Sequence, residues 1–194
     1  MKPLPLALLA LLVASGPAAA HTEAGVTGGL LSGFLHPLTG LDHLVAMIAV
    51  GLWGAQLGKP GIWVLPITFP AVMAIGGVLG VIGVTLPQAE LVIALSAVVL
   101  GFAVAMALRV PFAAAAAVVG VFAIFHGYAH GRELPGAVNP LAYGVGFVAA
   151  TGMLHATGIL IGTLTNWRTG AQVVRALGAA IAGLGGLFLL SMAA

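Results

Sequence analysis

"GFLHPLTGLDHLVAM", residues 33–47, sets two histidines and an aspartate inside eight positions of otherwise apolar sequence. The 194-residue chain around it is 61% hydrophobic and 5% charged. Soluble domains run nearer half apolar and about a quarter charged. The solvent for most of this chain is therefore lipid, and its fold class is all-α, a polytopic membrane helix bundle. In such a setting ionisable groups are expensive, and they mark an ion path, a proton relay or a partner.

Working outward from that stretch, the apolar sequence divides into six spans of about 20 residues, the length a bilayer core demands. They cover about 37–57, 62–84, 88–108, 111–130, 139–163 and 171–193. Breakers separate them: "GKPG" at 58–61, Pro87, Pro111, "ELPG" at 133–136 and "NWRTG" at 166–170. Residues 24–35 are apolar but too short to cross, and they suit a half-helix or re-entrant piece ahead of His36. Residues 1–20 read as a cleavable signal peptide, with Lys2 as the n-region, "LPLALLALLVA" at 4–14 as the h-region and Ala18-Ala19-Ala20 as the cleavage site. An uncleaved first helix is the alternative. Residues 21–194 then form a single transmembrane domain, and cleavage after Ala20 would leave His21 as an N-terminus able to chelate a metal.

With six spans the termini share a side. Lys59, Arg109, Arg168 and Arg175 fall together on the other side, and only Arg132 opposes them. The positive-inside rule then puts both mature termini outside the cytoplasm, the placement a cleaved signal also requires. The Lys and Arg residues are scattered singly, which excludes a nucleic-acid surface. The absence of cysteine removes disulfides, thiolate metal sites and thiol catalysis. No Walker motif is present, so no ATP hydrolysis is built in. The 29 glycines chiefly suit close helix packing. Tyr128, Trp53, Trp63 and Trp167 read as interface anchors, and Met47, Met73, Met106 and Met153 read as core filling.

The polar residues of the spans gather on one side of this topology. His36, Asp42 and His43 lie in the outer part of the first span and Glu90 at the outer start of the third. His126, His130 and Glu133 stand at the outer end of the fourth. His155 lies deeper, about 24 Å below Asn139 at roughly 1.5 Å per residue. His126 and His130 are four apart and share a helical face. Glu133 joins them if the helix persists through Gly131. His36 and His43 are roughly 10 Å apart along a straight helix, too far for one ion bound at about 2 Å per ligand. Pro37 and Gly40 permit a break. Pro37 suits a first helical position, which would leave His36 at the cap or outside. Either the segment bends back to unite His36 and His43, or they serve successive stations. Structural readings stand beside these: Asp42 or Glu133 paired with Arg132, and His155 bonded to a neighbouring carbonyl.

"HPLTGLDH" (36–43) with Met47 and Gly51, "FHGYAHGRELP" (125–135) and "GFVAATGMLHATG" (146–158) together resemble the HupE/UreJ family of nickel/cobalt permeases. The resemblance spans essentially the whole mature chain, and the three motifs come in order. A second permease class has His-x4-Asp-His; the spacing here is His-x5-Asp-His. The resemblance implies uptake of Ni²⁺ or Co²⁺ across a bacterial inner membrane, with no resident cofactor and no enzyme activity. Its functional positions fall on His36, Asp42, His43, His126, His130, Glu133 and His155. Glu90 joins them as an outer carboxylate, on topology alone. Imidazole and carboxylate ligands suit Ni²⁺, Co²⁺ and Zn²⁺ alike. The expected partners are a divalent ion and the lipid bilayer, with homo-oligomerisation left open. Two other readings of the same residues are an intramembrane zinc hydrolase, although no HExxH is present, and a bis-histidine haem protein.

Overall fold

A computed structural model of the chain describes residues 25–193, with 135 and 137 excepted. The signal-peptide reading of 1–20 and the chelating role of His21 lie outside the described residues. Seven α-helices follow: α1 (Gly25–Thr39), α2 (Leu41–Leu57), α3 (Gly61–Val81), α4 (Ala89–Ala105), α5 (Phe112–Arg132), α6 (Pro140–Gly162) and α7 (Arg168–Ala193). A 3-10 turn, Thr163–Asn166, extends α6. The chain is a multi-pass membrane protein. Helices α3, α5, α6 with its 3-10 extension, and α7 are each long and apolar enough to cross a bilayer. Helices α1 and α2 together make a further candidate, broken by an 80° bend. Helix α4 has 17 residues, a rise of about 26 Å at 1.5 Å per residue, at the short end of what crosses. Among the described residues four or five spans qualify by length and composition, and short α4 is the remaining segment of the six that the sequence suggested.

The first span is where sequence and structure part most clearly. Residues 25–39 form one helix that contains both His36 and Pro37. The break falls three residues later, at Gly40, whose backbone is extended (φ −82°, ψ 107°). Pro37 is therefore not a first helical residue, and His36 sits in the last turn of α1.

Helix α2 lies at the centre and packs against α3, α4, α6 and α7. Its run from Val45 to Gly54 is buried almost without interruption. Glycines let the neighbours approach it: a Cβ on Gly51 would meet the His155 carbonyl of α6, and one on Gly158 would meet the Ile48 carbonyl of α2. The α3–α5 pair uses the same device twice over. Gly76 and Gly80 face the carbonyls of Ile124 and Tyr128, while Gly127 and Gly131 face those of Met73 and Gly77. Each helix thus contributes a small-xxx-small pair, which replaces a hydrophobic driving force with backbone-to-backbone packing.

Several aromatic and methionine assignments change. Trp53 is 4% exposed and its indole donates to the Leu108 carbonyl at 3.0 Å, so it ties α2 to the end of α4 instead of marking an interface. Tyr128 is also buried. Trp63 and Trp167 are exposed, as anchors should be. Met47 and Met73 fill the core, whereas Met106 and Met153 face outward. At the opposite end of the bundle from His36, Arg109 and Arg175 line a polar cavity of about 340 Å³ with Gln56 and Asn166.

Candidate metal centre

The bend at Gly40 decides the site. By turning the chain 80° it brings the His36 ring to 6.1 Å from that of His43, centroid to centroid. Asp42 and His43 occupy the first turn of α2. The His43 ring donates from Nδ1 to Asp42 Oδ1 at 2.7 Å, and the His43 backbone N–H donates to the same oxygen at 2.9 Å. Among the described residues this is the one contact between a carboxylate and a basic group. Pairing of Asp42 or Glu133 with Arg132 does not occur. A carboxylate on Nδ1 fixes the tautomer that leaves the Nε2 lone pair free for a metal.

Helix α5 supplies the other half. His126 and His130, one turn apart, point inward and are buried, at 0% and 6% exposure. His126 donates from Nδ1 to the Phe122 carbonyl at 2.9 Å, which again leaves Nε2 as the open nitrogen. His130 is the hub of the cluster. Its ring lies 4.4 Å from that of His43 and 4.8 Å from that of His36, and His43 lies 5.0 Å from His126. Glu133 follows at the C-cap of α5. One ligand atom each from His36, His130 and Glu133 lie within 4.8 Å of one another. Two ligands on opposite sides of one ion stand about 4.2 Å apart, so closure on a cation needs only a small adjustment.

The hydrogen-bond account points the same way. Nε2 of His43, Nε2 of His126 and both ring nitrogens of His130 are buried without a partner. An unpaired buried polar group costs about 1–3 kcal/mol, and four imidazoles sharing one space are hard to justify without something for them to hold. Helix α6 closes the cluster on its remaining side, with Phe147 at 4.2 Å from the His130 ring and Tyr143 at 6.1 Å from the His36 ring. Asn139 caps α6 by accepting from the Ala142 N–H at 2.9 Å, and Pro140 occupies its first turn. An apolar groove of about 840 Å³ between α3, α5 and α6 reaches His130 from the side.

Not every expected residue belongs to this group. Glu90 is exposed on the first turn of α4 and makes no contact that closes the cluster, although its charge is felt at Glu133. Glu133 itself sits at the rim. Partial burial of its carboxyl raises its pKa above the ordinary value; the His43 imidazole opposes this, and the charges of Glu90 and Asp42 add to it. His155 lies apart from the outer histidines, with the fully buried Phe69 ring 5.3 Å from His126 and 5.5 Å from His155. Phe69 escaped the sequence reading because one more aromatic in an apolar span carries no signal of its own. The available signal was Pro66 and Pro70, four apart inside one span and flanking it.

A family model described as HupE / UreJ protein matches residues 9–188. The chain belongs to the HupE/UreJ family. Protein HupE of Rhizobium leguminosarum bv. viciae is 45% identical over 174 residues, which cover 89% of this chain and 91% of that one. No solved structure matches. HupE/UreJ proteins are related to nickel and cobalt transport, and membership gives no support to the hydrolase reading. All three motifs that carried the resemblance lie inside the matched region.

Proposed function

We propose that this HupE/UreJ chain is an inner-membrane permease that takes up Ni²⁺, or Co²⁺, from the extracytoplasmic side. Glu90 and Glu133 attract the hydrated cation to the mouth. His36, His43, His126 and His130 replace its water with imidazole nitrogen, and Asp42 holds His43 in the ligating tautomer and supplies negative charge. Six spans after signal cleavage, with both mature termini outside, complete this reading. It places the acidic end of the bundle outside and the arginine-lined end in the cytoplasm, in keeping with the positive-inside rule. An inward-negative potential favours an entering dication by about 4.6 kcal/mol per 100 mV, at about 2.3 per charge. No resident cofactor is needed.

The observation that carries the proposal is the convergence of His36, His130 and Glu133 within 4.8 Å beside buried, unpartnered imidazole nitrogens. The test is ⁶³Ni and ⁵⁷Co uptake into vesicles, comparing the parent with Asp42→Asn. Uptake by the parent that falls sharply in the variant supports the proposal. Equal uptake in both removes Asp42 from the path, and no uptake in either removes the function.

A further inference from the structure

His155 and Thr151 are four residues apart on α6 and so share one helical face. Both are sealed from solvent, at 1% and 0% exposure. Neither ring nitrogen of His155 has an aligned hydrogen-bond partner, and the Thr151 hydroxyl has none. Two other span hydroxyls behave differently: Ser96 and Thr157 each donate to a carbonyl of their own helix, at 2.6 and 2.9 Å. A third polar atom faces the same space. The Pro66 carbonyl of α3 comes near the His155 ring without making an aligned hydrogen bond to it. Within α3 that carbonyl would ordinarily accept from the N–H of residue 70, but residue 70 is proline and has none. An imidazole, a hydroxyl and a backbone carbonyl, from two helices, are therefore left over together in the middle of the bundle.

We propose that Thr151, His155 and the Pro66 carbonyl form a second, inner cation station, separated from the outer cluster by the Phe69 ring. The inference rests on the transport reading and adds a step to it. Three neutral nitrogen and oxygen donors, with no carboxylate among them, bind a dication less tightly than the outer group of histidines and acids. That asymmetry suits passage, because conduction requires sites that a cation can leave as well as enter. The route descends one face of α6. Tyr143 and Phe147 flank the outer imidazoles, Thr151 follows one turn later and His155 one turn after that, about 12 Å below Phe147 at 1.5 Å per residue. A hydrogen bond from His155 to Pro66 alone would still leave the second ring nitrogen and the Thr151 hydroxyl unused.

The test uses the full chain reconstituted in liposomes, with Ni²⁺ binding measured in parallel with ⁶³Ni flux. Thr151→Val keeps the volume and removes the hydroxyl; it should lower flux tenfold or more while Ni²⁺ affinity at the outer cluster stays within twofold of the parent. Thr151→Ser should restore flux, and His155→Leu should repeat the valine phenotype. Parental flux in both Thr151→Val and His155→Leu overturns the inner station. So does loss of binding together with flux in Thr151→Val, which assigns Thr151 to packing. His130→Ala keeps the two readings separable: it should abolish binding, and if it binds and transports normally the outer cluster fails instead.

Discussion

Asp42 Oδ1 accepts from His43 Nδ1 at 2.7 Å across the first turn of α2, two residues past the bend that delivers His36 to the same space. Nε2 of His43, the nitrogen this leaves open, is buried without a hydrogen-bond partner. The pair has the form of a carboxylate–histidine–metal arrangement before the metal arrives.

Removing the charge from that pair should weaken capture without unfolding the helix. Asp42→Asn keeps an oxygen able to accept from Nδ1 but loses the carboxylate. Outer partners of this kind are worth about 10–100-fold in metal affinity. The concentration dependence of ⁶³Ni uptake should show a rise in KM of that order, and Asp42→Ala should be worse because it also releases the tautomer. An unchanged KM in both variants contradicts the role given to Asp42.

Gly40 offers an independent way to disturb the same bond. A Cβ there would stand 3.2 Å from Asp42 Oδ1 and 3.4 Å from His43 Nδ1, the two atoms that are hydrogen-bonded. The backbone at Gly40 is extended and tolerates alanine, so the effect of Gly40→Ala comes through the crowded pair. Uptake KM should rise several-fold, with protein level in the membrane unchanged. Parental kinetics would show that the pair yields to the methyl at no cost.

Acid should close the site. A metal ligand must be deprotonated, so protons compete with the cation wherever a ligating group titrates. Glu133 at the rim is the group that does so: its raised pKa means that, as pH falls, its carboxylate is lost earlier than an ordinary glutamate's. Uptake in vesicles clamped at a fixed potential should fall progressively as pH is lowered from about 7.5 toward the ordinary glutamate range, and should begin to fall at a higher pH than for Glu133→Asp. A flat profile contradicts the role given to Glu133 at the mouth.

The α3–α5 contact holds His126 and His130 in place, and glycine makes it possible. A Cβ on Gly127 would run into the Met73 carbonyl, a backbone atom that cannot swing aside, whereas one on Gly183 meets nothing within 4 Å. Gly127→Ala should cost about 1–3 kcal/mol through overpacking and lower Ni²⁺ binding as well. Gly183→Ala should be neutral in both. Thermal unfolding in detergent, with and without Ni²⁺, checks the pair.

Much of this centre is legible in the residues themselves. His126 and His130 are readable because a helix of any orientation keeps residues four apart on one face. The union of His36 with His43 is readable only as one of two options. Nothing local says whether Pro37 or Gly40 makes the break, and the answer comes from α1 packing along α6, where Gly33 lies against the Tyr143 carbonyl. Trp53 and Tyr128 mislead for a related reason: an aromatic with a polar tip near a span end looks alike whether the tip meets lipid headgroups or, as for Trp53, the Leu108 carbonyl. The position of Phe69 between His126 and His155 depends on how α3 meets α5 and α6, which no single segment encodes.

X-ray absorption at the nickel edge, on the Ni²⁺-loaded protein and on His130→Ala, tests the central claim most directly. The account predicts scattering from at least two imidazoles together with oxygen, at about 2.1 Å, and loss of imidazole scattering or of bound nickel in the variant. Nickel bound without imidazole, or an unchanged spectrum in His130→Ala, would contradict it.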